Sequence, residues 1–142
     1  NIVENLSFNL GFPNVYDRIK GRTGSFLMVH GGCSSIGCYA VTNGVVDELW
    51  AFVTAALDNG QARIPVHAFP FRMTDKNLRL RSGDKWAPFW ANLKAGHDLF
   101  DRDGVPPKVS VCEDRYVFEQ GSQGTVDSLV EDRCRGAIAE DS

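Results

Sequence analysis

Neither a basic cluster nor a long apolar run occurs in this 142-residue chain. Its nearest approach to a cationic patch is the scattered trio Arg79, Arg81 and Lys85, and its formal charge at pH 7 is −3. The positive footprint that nucleic-acid binding requires is therefore missing, and nucleic acid is excluded as a partner. No apolar stretch approaches the roughly 18 residues needed to span a bilayer, and the longest, around residues 50–57, reads as one helix, so no transmembrane segment is expected. Asn1 is not followed by a basic region and an apolar core, so any signal peptide is expected to have been removed or to lie outside this chain. Cysteines number four, at 33, 38, 112 and 134. They are too few for a disulfide scaffold at this length, and their spacing matches no common zinc-ribbon pattern. Cysteine usage alone leaves the redox compartment open. Internal repeats and low-complexity blocks are also absent, which excludes solenoid and linker architectures.

What is present is a mixed charge pattern and 43% apolar residues, the range in which a single-core globular domain is expected. Residues 6–10 alternate apolar and polar side chains before Gly11, Pro13 and Asn14, a strand running into a turn. Residues 25–30 (SFLMVH) form a short apolar run between Gly24 and Gly31-Gly32, the pattern of a buried strand stopping at a permissive loop. From Thr42 the period changes. Val45, Val46, Leu49, Phe52, Val53, Ala56 and Leu57 recur at three- and four-residue steps and predict a helix, capped by Thr42 or Asn43 and stopped at Gly60.

Further on, residues 64–69 (IPVHAF) read as a strand and 74–80 as a short helix with Thr74 as its cap. Trp86, Phe89, Trp90 and Leu93 follow helical spacing that ends at Gly96, and their aromatic rings are expected to pack a core. His67 is expected to be a partly buried packing residue. Pro106-Pro107 opens a hairpin of residues 108–112 and 116–119 around Glu113-Asp114. After Gln120 the sequence is polar and predicts a loose tail. Strands and helices interleave without a regular βαβ rhythm, so the fold class is α+β. One domain over 1–119 and a polar tail over 120–142 are expected.

The stretch that carries chemistry is VHGGCSSIGCYAVT, residues 29–42. A histidine ending a strand, a Gly/Ser loop, and a Gly-Cys pair ahead of a helix bring an imidazole and a thiol to one edge of the fold. A free thiol has a pKa of about 8.5, so a nucleophilic cysteine needs a neighbouring base or a dipole's positive end. His30 can be that base. Gly37 lacks a Cβ, so its backbone can approach a substrate, and the N–H groups of Gly37 and Cys38 can face a developing oxyanion. Three other readings stand beside this one: an inert buried thiol, a zinc site drawing on His30, Cys33, Cys38 and His67, and a disulfide between Cys33 and Cys38. Without a tight Cys-x-x-Cys or His-x-x-x-His pair, no metal is expected.

The same stretch resembles the YkuD-type L,D-transpeptidase family, in which a His-Gly is followed by a Ser/Thr-His-Gly-Cys motif and a helix. His30-Gly31 looks like the first element, and Ser35-Ile36-Gly37-Cys38 like the second. The loop between them is short, Ile36 stands where the family has its second histidine, and Tyr39-Ala40 replaces an Ile-Arg-like continuation. These departures resemble the YafK/DpaA-like murein branch, with its H-G-x-C-x-S-x-G-C-[YF]-A-x-T pattern. The resemblance extends through NLGFPNVYDR (9–18), PFRMTD (70–75) and PPKVSV (106–111).

The resemblance implies a cysteine acyl-transferase or amidase with Cys38 as nucleophile, His30 as base and the Gly31 carbonyl holding the other ring nitrogen. An oxyanion hole from Gly37, Cys38 and Ile36 is implied as well. Tyr39 and Ser35 would shape the pocket, and Arg18 and Arg72 are candidates for a substrate carboxylate or for structural ion pairs. The implied substrate is meso-diaminopimelate in a peptidoglycan stem peptide, and the implied partner an outer-membrane lipoprotein whose link to peptidoglycan is hydrolysed. Transpeptidation and a non-catalytic cell-wall binding module are the alternatives. No cofactor and a periplasmic or cell-envelope location are implied, as is a catalytic sheet whose first strands lie N-terminal to this chain.

Overall fold

Phe8, Val29 and Tyr39 stand side by side across a three-stranded sheet in the computed structural model, which describes residues 6–32 and 34–134. The strands are β1 (Ser7–Asn9), β2 (Met28–Gly31) and β3 (Tyr39–Val41), in the order β1-β2-β3. β1 pairs antiparallel with β2, with Phe8 opposite Val29, and β3 pairs parallel with β2, with Ala40 opposite His30. The first two were expected, although β2 begins three residues later than the apolar run. β3 was not: its three residues sit between the Gly-Cys pair and the helix, too short to carry a period.

Side chains alternate faces along a strand, so Ser7, His30 and Ala40 share one face and Phe8, Val29 and Tyr39 the other. Helix α2 (Asn43–Asp58) packs on β2, and its Trp50 meets Phe8 with ring centroids 5.1 Å apart. That contact assigns α2 to the Phe8 face and leaves His30 on the opposite one. Thr42 caps α2, its Oγ1 accepting from the Val45 N–H at 3.3 Å. Val46 is buried, whereas Val45, Leu49 and Phe52, one turn apart along a second stripe, are exposed. The apolar set is thus wider than the face that packs on the sheet.

An additional helix, α1 (Val15–Ile19), forms because Asn14 and Asp17 make a reciprocal capping box. Its buried Tyr16 lies under the cations of Lys20 and Arg22, and Asp17 also pairs with Arg22 at 2.8 Å.

These elements form one compact unit, which ends at Ile64, and a second begins at Pro65. The second unit holds α3 (Asp75–Leu80), α4 (Ala87–Asp103), and a sheet of β4 (Lys108–Cys112), β5 (Arg115–Glu119) and β6 (Glu131–Asp132) in the order β5-β4-β6. The hairpin falls where its sequence predicts, with Glu113 at φ +56° turning the chain. Thr74 caps α3 through the Asn77 N–H. Val111 and Met73 are its buried apolar residues.

Three expectations are corrected in this unit. Residues 64–69 form no strand: interrupted by Pro65 and ended by Pro70, the segment instead lays its rings on α4, with His67 5.6 Å from Phe100 and Phe69 5.3 Å from His97. Gly96 does not stop α4. It is buried inside the helix because the Phe118 ring of β5 packs directly on its backbone, and the helix ends instead at Gly104, in the left-handed conformation at φ +67°. Finally, the described part of the polar tail is structured: β6 pairs parallel with β4, the Arg133 N–H donates to the Val111 carbonyl at 2.7 Å, and Cys112 and Cys134 form a disulfide. Residues 135–142 lie outside the described residues.

Candidate active site

His30 is placed by β2, the middle strand, and is half-buried there. Its Nδ1 lies 2.9 Å from the carbonyl oxygen of Gly31. A carbonyl can only accept, so this contact calls for a hydrogen on Nδ1 and leaves Nε2 with a free lone pair. The imidazole is thereby oriented as a base through Nε2.

Cys38 directly precedes β3, two residues before Ala40, the register partner of His30. It sits in the bend that leads into β3, outside the strand itself. Cys38 is a free thiol, half-buried, and its Sγ–H donates to the carbonyl of Phe26 at 3.5 Å. Ser35 ties the loop from the other side, its hydroxyl donating to the Cys38 carbonyl at 2.8 Å. Gly37 adopts φ +90°, a backbone that side-chain-bearing residues rarely enter, and an added Cβ would meet nothing within 4 Å. Here the glycine serves backbone direction rather than space. Ile36 is fully exposed, and Tyr39, on the Phe8 face of the sheet, is 47% exposed. Cys33 lies outside the described residues. Among the described residues no group of three or more His, Cys, Asp or Glu is arranged to hold a metal.

The two arginines have other engagements. Arg18 is exposed and its Nη1 donates to the Pro13 carbonyl at 2.6 Å, bracing the turn before α1. Arg72 belongs to the second unit, where its carbonyl accepts from the Thr74 N–H and the Asn77 side chain, both at 2.8 Å, and its side chain is exposed. A cavity of about 300 Å³ in that unit is lined by Leu78, Arg79, Ser82, Ala87, Trp90 and Ala91, none of them a candidate site residue from the sequence.

Sequence reasoning missed Phe26. It is a non-glycine residue at φ +59° and 70% exposed, and no residue pattern announces a left-handed phenylalanine. His67 is the histidine whose environment moves its titration: burial of its ring, then the neighbouring His97, lower its pKa from the ordinary value. The residue as a whole keeps much of its surface open, but the ring itself sits between Phe69 and Phe100.

A strand-borne imidazole and a loop-borne free thiol, in the spacing read above, match the L,D-transpeptidase pattern. The chain is 50% identical over 114 residues, 80% of its length, to proteins named "Putative L,D-transpeptidase YafK" in Escherichia coli strain K12 and in Escherichia coli O157:H7. It belongs to the YafK-like L,D-transpeptidase family. The matched part is 46% of each relative, so the chain spans about half the length of the curated relatives it matches. No protein-family model matches it. Among the described residues no helix is long and apolar enough to cross a membrane.

Proposed function

We propose that this chain is the catalytic part of a peptidoglycan enzyme with a YkuD-like catalytic region over 1–119, in which Cys38 is the nucleophile and His30 its base. The observation that carries the reading is the 2.9 Å contact from His30 Nδ1 to the Gly31 carbonyl, which leaves Nε2 to take a proton. Proton transfer from Sγ to Nε2 makes the thiolate, which attacks the carbonyl at the L-centre of meso-diaminopimelate in a stem peptide. The N–H groups of Gly37 and Cys38, and that of Ile36, receive the oxyanion. Collapse expels the amine, which takes the proton from Nε2, and leaves a thioester at Cys38.

In the reading argued here water resolves that thioester, and the enzyme releases an outer-membrane lipoprotein from its amide link to peptidoglycan. The printed name of the relatives favours a second reading, in which an amine takes the acyl group and a cross-link or lipoprotein attachment forms. In either case Ser35 holds the loop at the Cys38 carbonyl, and Tyr39 directly follows the nucleophile. Of the two candidates for a substrate carboxylate, Arg18 is engaged at the Pro13 carbonyl and Arg72 belongs to the second unit. The Cys112–Cys134 disulfide supports an oxidising compartment, in keeping with a periplasmic location. The exposed stripe of Val45, Leu49 and Phe52 supports completion of this unit by further sequence of the kind the longer relatives possess.

Incubating the protein with lipoprotein-linked muropeptides and following the products by mass tests this reading. Free tripeptide or tetrapeptide without a lipoprotein remnant is expected, and should disappear in Cys38→Ala. New cross-linked dimers would replace hydrolysis by transpeptidation, and turnover that survives Cys38→Ala would remove Cys38 from the chemistry.

A further inference from the structure

Phe26 combines two features that do not explain each other. Its backbone sits in the left-handed region at φ +59°, an uncommon place for a bulky L-residue, yet its ring is 70% exposed and gains little burial there. What that conformation does achieve is to aim the Phe26 carbonyl at the Cys38 thiol, 12 residues away in sequence and 3.5 Å away in space. Backbone held in such a region persists where the surroundings require it, and it concentrates at functional sites. Cys38 is gripped at both ends, its carbonyl by the Ser35 hydroxyl and its thiol by Phe26.

We infer that Phe26 is a positioning residue for Cys38: its left-handed backbone, and not its ring, supplies the carbonyl on which the thiol rests before it reacts. The inference depends on Cys38 being the nucleophile proposed above. In the resting site the S–H donates to the Phe26 oxygen. When His30 Nε2 takes that proton the sulfur has no hydrogen left to donate, and two electron-rich atoms then face each other. The thiolate is thereby freed to swing towards the acyl carbon. Phe26 itself forms and breaks no covalent bond.

Substitutions at position 26 separate backbone from ring. Glycine and asparagine enter the left-handed region readily and alanine is not bulky enough to oppose it as phenylalanine does, whereas β-branched residues resist it. The measurement is the rate at which iodoacetamide alkylates Cys38 in the folded protein at pH 7.5, resolved by site with mass spectrometry, alongside the melting temperature.

Phe26→Gly, Phe26→Asn and Phe26→Ala are expected to alkylate within about twofold of the parent; Phe26→Val and Phe26→Thr about fivefold faster, the scale of one lost hydrogen bond. On the muropeptide the first three should keep kcat, while the β-branched pair should lose kcat at unchanged KM. A change in alkylation in Gly, Asn and Ala together assigns the effect to the ring and overturns the inference. Parent-like rates in a folded Val or Thr variant overturn it equally. Should both β-branched chains fail to fold, the ring-less trio decides through turnover: kcat within twofold of the parent supports the inference, and a loss in all three overturns it. If Cys38→Ala leaves turnover intact, the proposed function itself falls and this inference with it. If Cys38→Ala is inactive while all five variants match the parent, only the inference fails.

Discussion

Asn92 of α4 engages both backbone groups of Tyr116: its Nδ2 donates to the Tyr116 carbonyl, and its Oδ1 accepts from the Tyr116 N–H, each at 2.9 Å. β5 is the outer strand of its sheet, so this side-chain amide occupies the place of a further strand. Asn92 is itself buried. Replacing it by leucine strands one donor and one acceptor, and stability is expected to fall by about 2–3 kcal/mol. Asn92→Asp keeps only the acceptor and should also be destabilising. Urea unfolding with an unchanged m-value reads the loss; a Leu variant as stable as the parent would show that water satisfies Tyr116 instead.

The glycine at 96 makes a steric prediction of the opposite kind. A Cβ there would overlap the Phe118 ring, so Gly96→Ala should destabilise by about 1–3 kcal/mol despite alanine's better helix propensity. Shrinking the partner with Phe118→Leu should recover part of the loss. Thermal melts of the two single variants and the double variant would expose the coupling, and strict additivity would refute the contact.

Cys112 and Cys134, 22 residues apart in sequence, close β6 onto β4. Loop-closure entropy for a ring of that size corresponds to about 3 kcal/mol. Cys134→Ser, or the parent in a strong thiol reductant, is therefore expected to lose about that much unfolding free energy, read as a lower denaturant midpoint. Equal midpoints with and without reductant would show that the bond adds nothing to stability.

How much of this could be read in advance follows from the range of the interactions concerned. The hairpin around Glu113-Asp114 and the Thr42 and Thr74 caps are set within a few residues, and the pattern shows them. The α1 cap was legible in principle, since Asn14 and Asp17 have the right spacing. β6 could not be foreseen, because a two-residue strand exists only through its pairing with Ser110 and Val111. Gly96 misled for a related reason: a glycine chosen for a ring arriving from β5 looks, in sequence, like a glycine that ends a helix. At the candidate site the motif singles out His30, Gly31, Gly37 and Cys38. It is silent on Phe26, whose inferred part is played by backbone.

His67 makes part of the stability depend on pH. Its pKa in the folded chain is lowered, first by burial of the ring and then by His97, so between that lowered value and the ordinary value of about 6.5 the unfolded chain binds more protons than the folded one. Stability contributed by the neutral ring is therefore present above the ordinary value and is lost as pH falls through it. Other charges near this cluster are Asp98, bonded to His97, and Lys94, bonded to Asp98. The carboxyl of Asp98 is lowered from its ordinary value, so its own titration falls below this window. Between pH 7.5 and 5.5 the parent should lose more stability than His67→Gln. Parallel losses in the two proteins would mean that this ring does not report on folding.

The tautomer of His30 is the feature on which the proposed chemistry turns, and it is measurable without any substrate. With Nδ1 bonded to the Gly31 carbonyl, the neutral ring should have its hydrogen on Nδ1, the less common tautomer of a free histidine. Nitrogen chemical shifts of a ¹⁵N-histidine sample at pH 8 should then show a protonated Nδ1 and a bare Nε2. Because the bond acts through geometry, His30→Gln and His30→Asn should both lose base catalysis by a factor of about 10²–10⁴ while leaving the fold intact. A spectrum with the hydrogen on Nε2 would turn that nitrogen from acceptor into donor. The thiol would then have lost the base proposed for it, and the reading of Cys38 as a nucleophile activated by His30 would fail before any peptidoglycan was added.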